Sequence, residues 1–154
     1  MSIPETLAPR LIVPSLAGVY RSLAPYSYAF MRFCVGAMLV PHGYAKLIHG
    51  GAAALAKADF ARWGFPAPLA WAHWIAVLEF VGGALLAIGF LTRPVAFLIA
   101  VEMAVAVLAV HLPNGFFWTV KGYEYPLLWG LLALAIVFRG GDRLSVDRAI
   151  GSEF

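Results

Sequence analysis

Apolar residues fall into four long blocks, running from about Tyr28 to Ile48, Leu69 to Leu91, Pro94 to Leu112 and Tyr125 to Phe138. A membrane-crossing helix needs about 20 such residues, within a range of about 17–25. The first three blocks meet that length. The fourth is about 14 residues, or about 21 Å of helix, so it must stand nearly upright or be extended by Gly122–Glu124 before it. Ahead of the first block, Ile12, Leu16, Val19 and Leu23 recur at spacings of four, three and four. That spacing predicts a short amphipathic helix lying on a membrane surface. The run Leu11–Tyr20 is broken by Pro14 and followed by Arg21, which is not the layout of a cleaved leader.

Turn residues punctuate the blocks. Gly50-Gly51 closes the first, Pro66 and Pro68 flank the start of the second, and Pro113-Asn114-Gly115 stops the third. The connection Leu91-Thr92-Arg93-Pro94 is so short that the helices it joins must be antiparallel neighbours. Pro126 suits the first turn of the fourth helix, where a missing N–H costs little. Small residues spaced for close helix contact occur at Ala72/Ala76, Gly83/Ala87 and Ala100/Ala104. The expected fold is all-α: a four-helix transmembrane bundle over residues 26–142, an N-terminal interfacial segment over 1–25 and a cytoplasmic tail over 143–154.

Composition sharpens this. Hydrophobic residues make up 62% of the 154-residue chain and charged residues 12%, against about 45–50% and ~25% in ordinary soluble domains. Mean hydropathy is +0.84. A chain this small has too much surface to hide that apolar content from water. A soluble enzyme, a disordered chain and a small disulfide scaffold are therefore excluded.

Eleven Lys and Arg against eight Asp and Glu leave a net charge of +3. The excess is scattered and does not suggest nucleic acid. Arg139, Arg143 and Arg148, interleaved with Asp142 and Asp147, read as an anchor at lipid headgroups. Four spans place both termini on one side, together with Arg10, Arg21, Arg93, Arg139, Arg143 and Arg148. Lys46, Lys57, Arg62 and Lys121 fall on the other side. That bias puts both termini in the cytoplasm. Cys34 stands alone, so neither an intrachain disulfide nor a redox pair is available, and it reads as a small packing residue.

Ionisable groups at membrane depth are costly and call for a partner or a role. Counting from the cytoplasmic ends, Arg32 lies about 6 Å in, Glu102 about 12 Å and Glu79 about 18 Å. The expectation is a buried charge network in which the Arg32 guanidinium bridges Glu79 and Glu102. It would either hold three helices in register or serve a proton path or ligand. A second group gathers toward the outer end: His42 and Lys46 on one helix face, His73, His111 and Glu124. Aromatics crowd that end, among them Trp74 and Tyr123. They form either an interfacial belt or a pocket for a flat apolar ring with polar oxygens, such as a quinone. Two of the histidines on different helices could instead ligate a haem, although the same residues are explained without it. No zinc-type cluster is present, and no metal is expected.

Several stretches, in this order and spacing, resemble the DoxX family of small bacterial membrane proteins. They are Arg32, Gly36 and Gly43-Tyr44-Ala45-Lys46; Glu79-Phe80-Val81-Gly82-Gly83-Ala84-Leu85-Leu86 running on to Gly89-Phe90-Leu91-Thr92-Arg93; Gly122-Tyr123-Glu124-Tyr125-Pro126; and Gly140-Gly141-Asp142-Arg143-Leu144-Ser145-Val146-Asp147. The resemblance covers about Phe30 to Arg148. It implies a four-helix inner-membrane protein, similar to the membrane subunit of thiosulfate:quinone oxidoreductase and to members that join redox enzymes at the membrane. The positions it carries over are Arg32, Lys46, Glu79 and Glu124. The expected function is that of a quinone-interacting or accessory subunit of a membrane redox system. A scaffold for soluble redox enzymes and a carrier of a small apolar molecule or lipid are the alternatives. Expected partners are the lipid bilayer, redox-enzyme subunits and further copies of the chain.

Overall fold

The computed structural model describes residues 10–154. Among them there is no strand. The first helix, α1 (Ala17–Ile48), follows a single tight turn at Pro14–Leu16. It runs unbroken through Pro25 and Pro41, each of which leaves one carbonyl a turn earlier without its helical donor. The amphipathic segment expected ahead of the first span is thus continuous with it. At about 1.5 Å per residue, 32 residues extend about 48 Å, well beyond a hydrocarbon core of about 30 Å. Of the segment expected to lie on the surface, residues 17–25 form the first turns of this long helix, and residues 1–9 lie outside the described residues.

Gly50 takes a left-handed conformation (φ 73°) and ends α1. The chain restarts at once as α2 (Gly51–Leu55), which widens into a π-helical turn over Ala56–Phe60. The apolar pattern does not predict this helix. It packs Ala52, Ala56 and Phe60 against Ala72, with Leu55, Trp63, Phe65 and Ile75 around them. The long helix α3 (Pro68–Ile88) contains a π-helical stretch at Leu78–Gly82. After a three-residue turn, α4 (Thr92–Asn114) runs α-helical to Val105, π-helical over Ala106–His111 and 3-10 at its end. A loop with one tight turn at Trp118–Val120 leads to α5 (Glu124–Arg139), and the tail ends in a single turn, α6 (Val146–Ala149).

Among the described residues, three helices are long and apolar enough to cross a membrane: α1 with its leading turn, α3 and α4. The fourth expected span, α5, has 16 residues, about 24 Å. One core takes Val35 and Leu39 from α1, Leu78 and Leu86 from α3, Val95, Ala96, Ile99 and Met103 from α4, and Ala133 and Ile136 from α5. Large apolar side chains face outward along the same helices, including Phe30, Phe33, Phe97, Leu108, Leu131 and Phe138. Lipid is the solvent that makes such a surface stable.

The register of α1 on α3 is set by glycine. A methyl group on Gly36 would run into the Gly83 carbonyl and the Ala87 amide. One on Gly43 would run into the Phe80 amide and the Ala76 carbonyl. The two backbones therefore touch, and each step up α1 is matched by a step down α3. Of the expected small residues, Ala76, Gly83 and Ala87 are buried in contacts of this kind and Ala72 is buried against α2, whereas Ala104 faces outward. A Gly36→Val variant should lose about 1–3 kcal/mol of stability from overpacking, seen as a lower unfolding midpoint in detergent.

The tail folds back onto the helix ends it was expected to trail from. Asp147 is fully buried. It accepts hydrogen bonds from the Leu91 amide (2.8 Å), the Thr92 amide (2.9 Å) and the Thr92 hydroxyl (2.6 Å), so a carboxylate from the far end of the chain caps the positive N-terminus of α4. Its own amide donates to the Gly89 carbonyl at 2.9 Å. Gly89 has φ 72°, and a side chain there would strike Ser145 and the Arg32 guanidinium. Ser145 accepts from the Arg148 amide at 3.1 Å to start α6. Arg93 donates to the carbonyls of Val137 and Phe138 at the end of α5. On the rim, the Arg143 amide and then Arg139 hold the Asp142 carboxyl below the usual carboxylate range, against a smaller opposing effect of burial.

Candidate functional site

A cavity of about 910 Å³ opens between the helices at the end away from the tail. Each of the three π-helical stretches forms part of its wall: Asp59 and Phe60 from the first, Leu78 and Glu79 from the second, Ala106, Val110 and His111 from the third. A π-turn inserts one extra residue and rotates the next stretch of helix, a device frequent at functional sites. Here the turns bring polar side chains of otherwise apolar helices to face one space.

The polar centre is Lys46, Glu79 and Glu102. Lys46 of α1 donates to Glu79 Oε2 of α3 in a short ion pair. Glu102 of α4 lies within electrostatic reach of both. Glu79 and Glu102 are 5% and 8% exposed. They stand about 14 and 15 Å from the tail-side ends of their helices, counted at about 1.5 Å per residue, and so at nearly one depth. Glu102 Oε2 is buried and has no hydrogen-bond partner. One ammonium offsets one carboxylate; the second carboxyl is tolerated at this burial only with a proton, held or shared with its neighbour. Around this centre the walls are aromatic and aliphatic, with Trp71, Trp74, Trp129 and Tyr125 beside Met38, Leu98 and Val101. Trp129 is held by an Nε1–H bond to the Val35 carbonyl at 3.1 Å.

The expected charge network is corrected in its pairing. Arg32 does not bridge Glu79 and Glu102. It sits 3% exposed near the middle of α1, on the tail side of Lys46, and donates to the carbonyls of Leu86 (3.1 Å), Ala87 (3.4 Å), Leu144 (2.8 Å) and, by a short contact, Gly141. The glycine-set register explains this. It places Arg32 opposite Gly89, beside the last carbonyls of α3, and brings Lys46 within about one helical turn of Glu79. Arg32 thus caps a helix C-terminus, where cations are favoured, and Lys46 takes the place expected for it.

Of the outer-end residues, His42, Lys46, Trp74 and His111 line the cavity. His111 donates from Nδ1 to the Lys121 carbonyl at 2.7 Å, which fixes its ring. His73, Glu124 and Tyr123 are not among the lining residues. His73 donates to the Leu69 carbonyl of its own helix (2.8 Å). Glu124 accepts from the Trp118 amide (3.1 Å) and organises the loop before α5, where the Tyr123 ring packs on Phe116. Sequence reasoning missed Asp59 and Trp129 as wall residues. A period-based reading of the helices would have faced Trp129 inward, but the π-turns that expose Asp59 leave no mark in the sequence.

The model of the DoxX family matches residues 27–112. The chain belongs to the DoxX family. The matched region carries Arg32, Lys46, Glu79, Glu102 and His111, and so holds the whole polar centre. A DoxX chain of this kind is a membrane protein, in keeping with its three spanning-length helices. It is 36% identical over 132 residues to an uncharacterized protein of Haemophilus influenzae, covering 80% of this chain and 90% of that one. It is 29% identical over 149 residues to an uncharacterized membrane protein of Mycobacterium tuberculosis, covering 89% of each. No solved structure matches it.

Proposed function

We propose that this DoxX protein binds a lipid-soluble quinone in the cavity around Lys46, Glu79 and Glu102 and serves as an accessory subunit of a bacterial inner-membrane redox system. The observation that carries the reading is a cavity of about 910 Å³ with tryptophan walls and an ion pair plus a free carboxyl oxygen at mid-membrane depth. Its size suits a drug-sized ring, for which pockets run about 300–1,000 Å³. Lys46 and His42 supply donors for ring oxygens. Trp74 and Trp129 supply flat apolar surface. With a single cysteine in the chain, the electrons for any change of the quinone come from a partner subunit. In this reading α5 completes four spans, and the basic residues at the tail end set both termini in the cytoplasm.

The test is extraction of the purified protein's bound small molecules with identification by mass spectrometry. A quinone at near-equal ratio to protein is expected, and much less in an Ala106→Phe variant whose added ring fills the cavity. Lipid alone in both samples would replace this reading with that of a carrier of apolar molecules.

A further inference from the structure

The folded tail encloses a second hollow, separate from the apolar cavity. It measures about 420 Å³, lies between the end of α5 and α6, and has Arg139, Arg143 and Arg148 in its wall. Three carboxyl groups share that wall, and each is already engaged. Asp147 is fully buried and takes its hydrogen bonds from Leu91 and Thr92. Asp142 accepts from the Arg143 amide on one oxygen and pairs with Arg139 on the other. Glu153 accepts from the Gly141 amide at 2.6 Å and pairs with Arg93 at 3.5 Å. The guanidinium groups of Arg143 and Arg148 meet no carboxylate at ion-pair distance among the described residues. With Arg32 and Arg93 behind the wall, five arginines stand against three carboxylates.

What is left over is positive charge and donors: two guanidinium forks, with the Ser152 hydroxyl beside them. Such forks match the oxygens of a phosphate. The surroundings indicate where that phosphate comes from. The hollow borders the tail-side end of α5, and Leu144, Ile150 and Phe154 point outward from the same tail, the last two more than half exposed. Apolar side chains around a basic hollow suit acyl chains below a charged headgroup. A free phosphate has no use for them.

We propose that the folded tail binds the phosphate group of an anionic phospholipid between Arg143 and Arg148. This is a defined socket, distinct from the diffuse attraction of a basic end for an anionic surface. The buried Arg32 and Asp147 contacts shape it by holding the tail against the helix ends.

The experiment is native mass spectrometry of the intact protein, released from detergent after titration with dioleoyl phosphatidylglycerol or with dioleoylglycerol, which keeps the acyl chains and lacks the phosphate. The phospholipid should bind at least about tenfold more tightly. Arg143→Gln/Arg148→Gln should weaken phospholipid binding roughly thirtyfold, and it leaves the tail folded because neither side chain holds another residue. Arg10→Gln/Arg21→Gln takes the same charge from the same end of the molecule but not from the hollow, and should stay within about twofold of the wild type. Equal losses in the two double variants would overturn the socket and leave only diffuse attraction. Equal binding of the two lipids to the wild type would overturn it as well. Displacement of the phospholipid by millimolar inorganic phosphate would keep the phosphate site and overturn its lipid occupant.

Discussion

Replacing Arg32 by methionine should destabilise the protein by about 3–5 kcal/mol, the largest effect expected of any single substitution at the tail end. The guanidinium is the shared donor for four carbonyls, two at the end of α3 and two in the tail. A buried acceptor left open costs about 1–3 kcal/mol, and water entering from the adjacent surface recovers part of that sum. The unfolding midpoint in detergent gives the magnitude. A second measurement identifies the cause: trypsin should cut after Arg143 or Arg148 much faster in Arg32→Met than in the wild type, because the tail loses its hold on α3. Arg32→Lys keeps the charge at the helix end but not the fork of donors, and should fall between the two. A methionine variant that melts with the wild type and keeps its tail protected would show that Asp147, bonded to the Leu91 and Thr92 amides, holds the tail by itself.

The spanning helices α1, α3 and α4 are legible in the sequence because about 20 apolar residues in a row have few other uses. The short helix α2 is not. Its Gly50-Gly51 entrance reads as a stop, and its alanines carry no period. Depth counting from the sequence sets Glu79 about 6 Å deeper than Glu102, and the observed helix ends bring them nearly level. It cannot say which basic residue meets them, because depth along a helix says nothing of rotation or of register against a neighbour. The missing information lies in Gly36, Gly43 and Gly83: taken as points of backbone contact, they align Lys46 with Glu79 and send Arg32 to the end of α3. His73, Glu124 and Tyr123 do lie at the end of the molecule where the sequence puts them. The structure gives them to a helix turn and a loop because local carbonyls and amides lie closer than the cavity does. The tail looks like a free anchor since its arginines dominate the composition, yet Asp147 and Ser145 fold it.

Lys46→Met should cost about 3–5 kcal/mol, the usual penalty for stripping the partner from a buried charge, and Glu79→Leu should cost distinctly less. The asymmetry comes from Glu102. Without Lys46, two carboxyls face each other with no cation near them. Without Glu79, the ammonium is free to turn to Glu102, whose Oε2 stands open. The double variant Lys46→Met/Glu79→Leu removes both charges together and should recover most of the loss in Lys46→Met, since a well-packed apolar pair can equal a buried ion pair. Unfolding midpoints of the four proteins give the coupling energy directly. Ligand retention, read by the same extraction that tests the quinone site, separates architecture from function: the double variant should melt near the wild type and still lose its ligand, because Lys46 no longer offers a donor to a ring oxygen. A double variant that regains stability and ligand together would mean that the pair only holds α1 to α3, and that binding rests on Glu102 and the tryptophan walls.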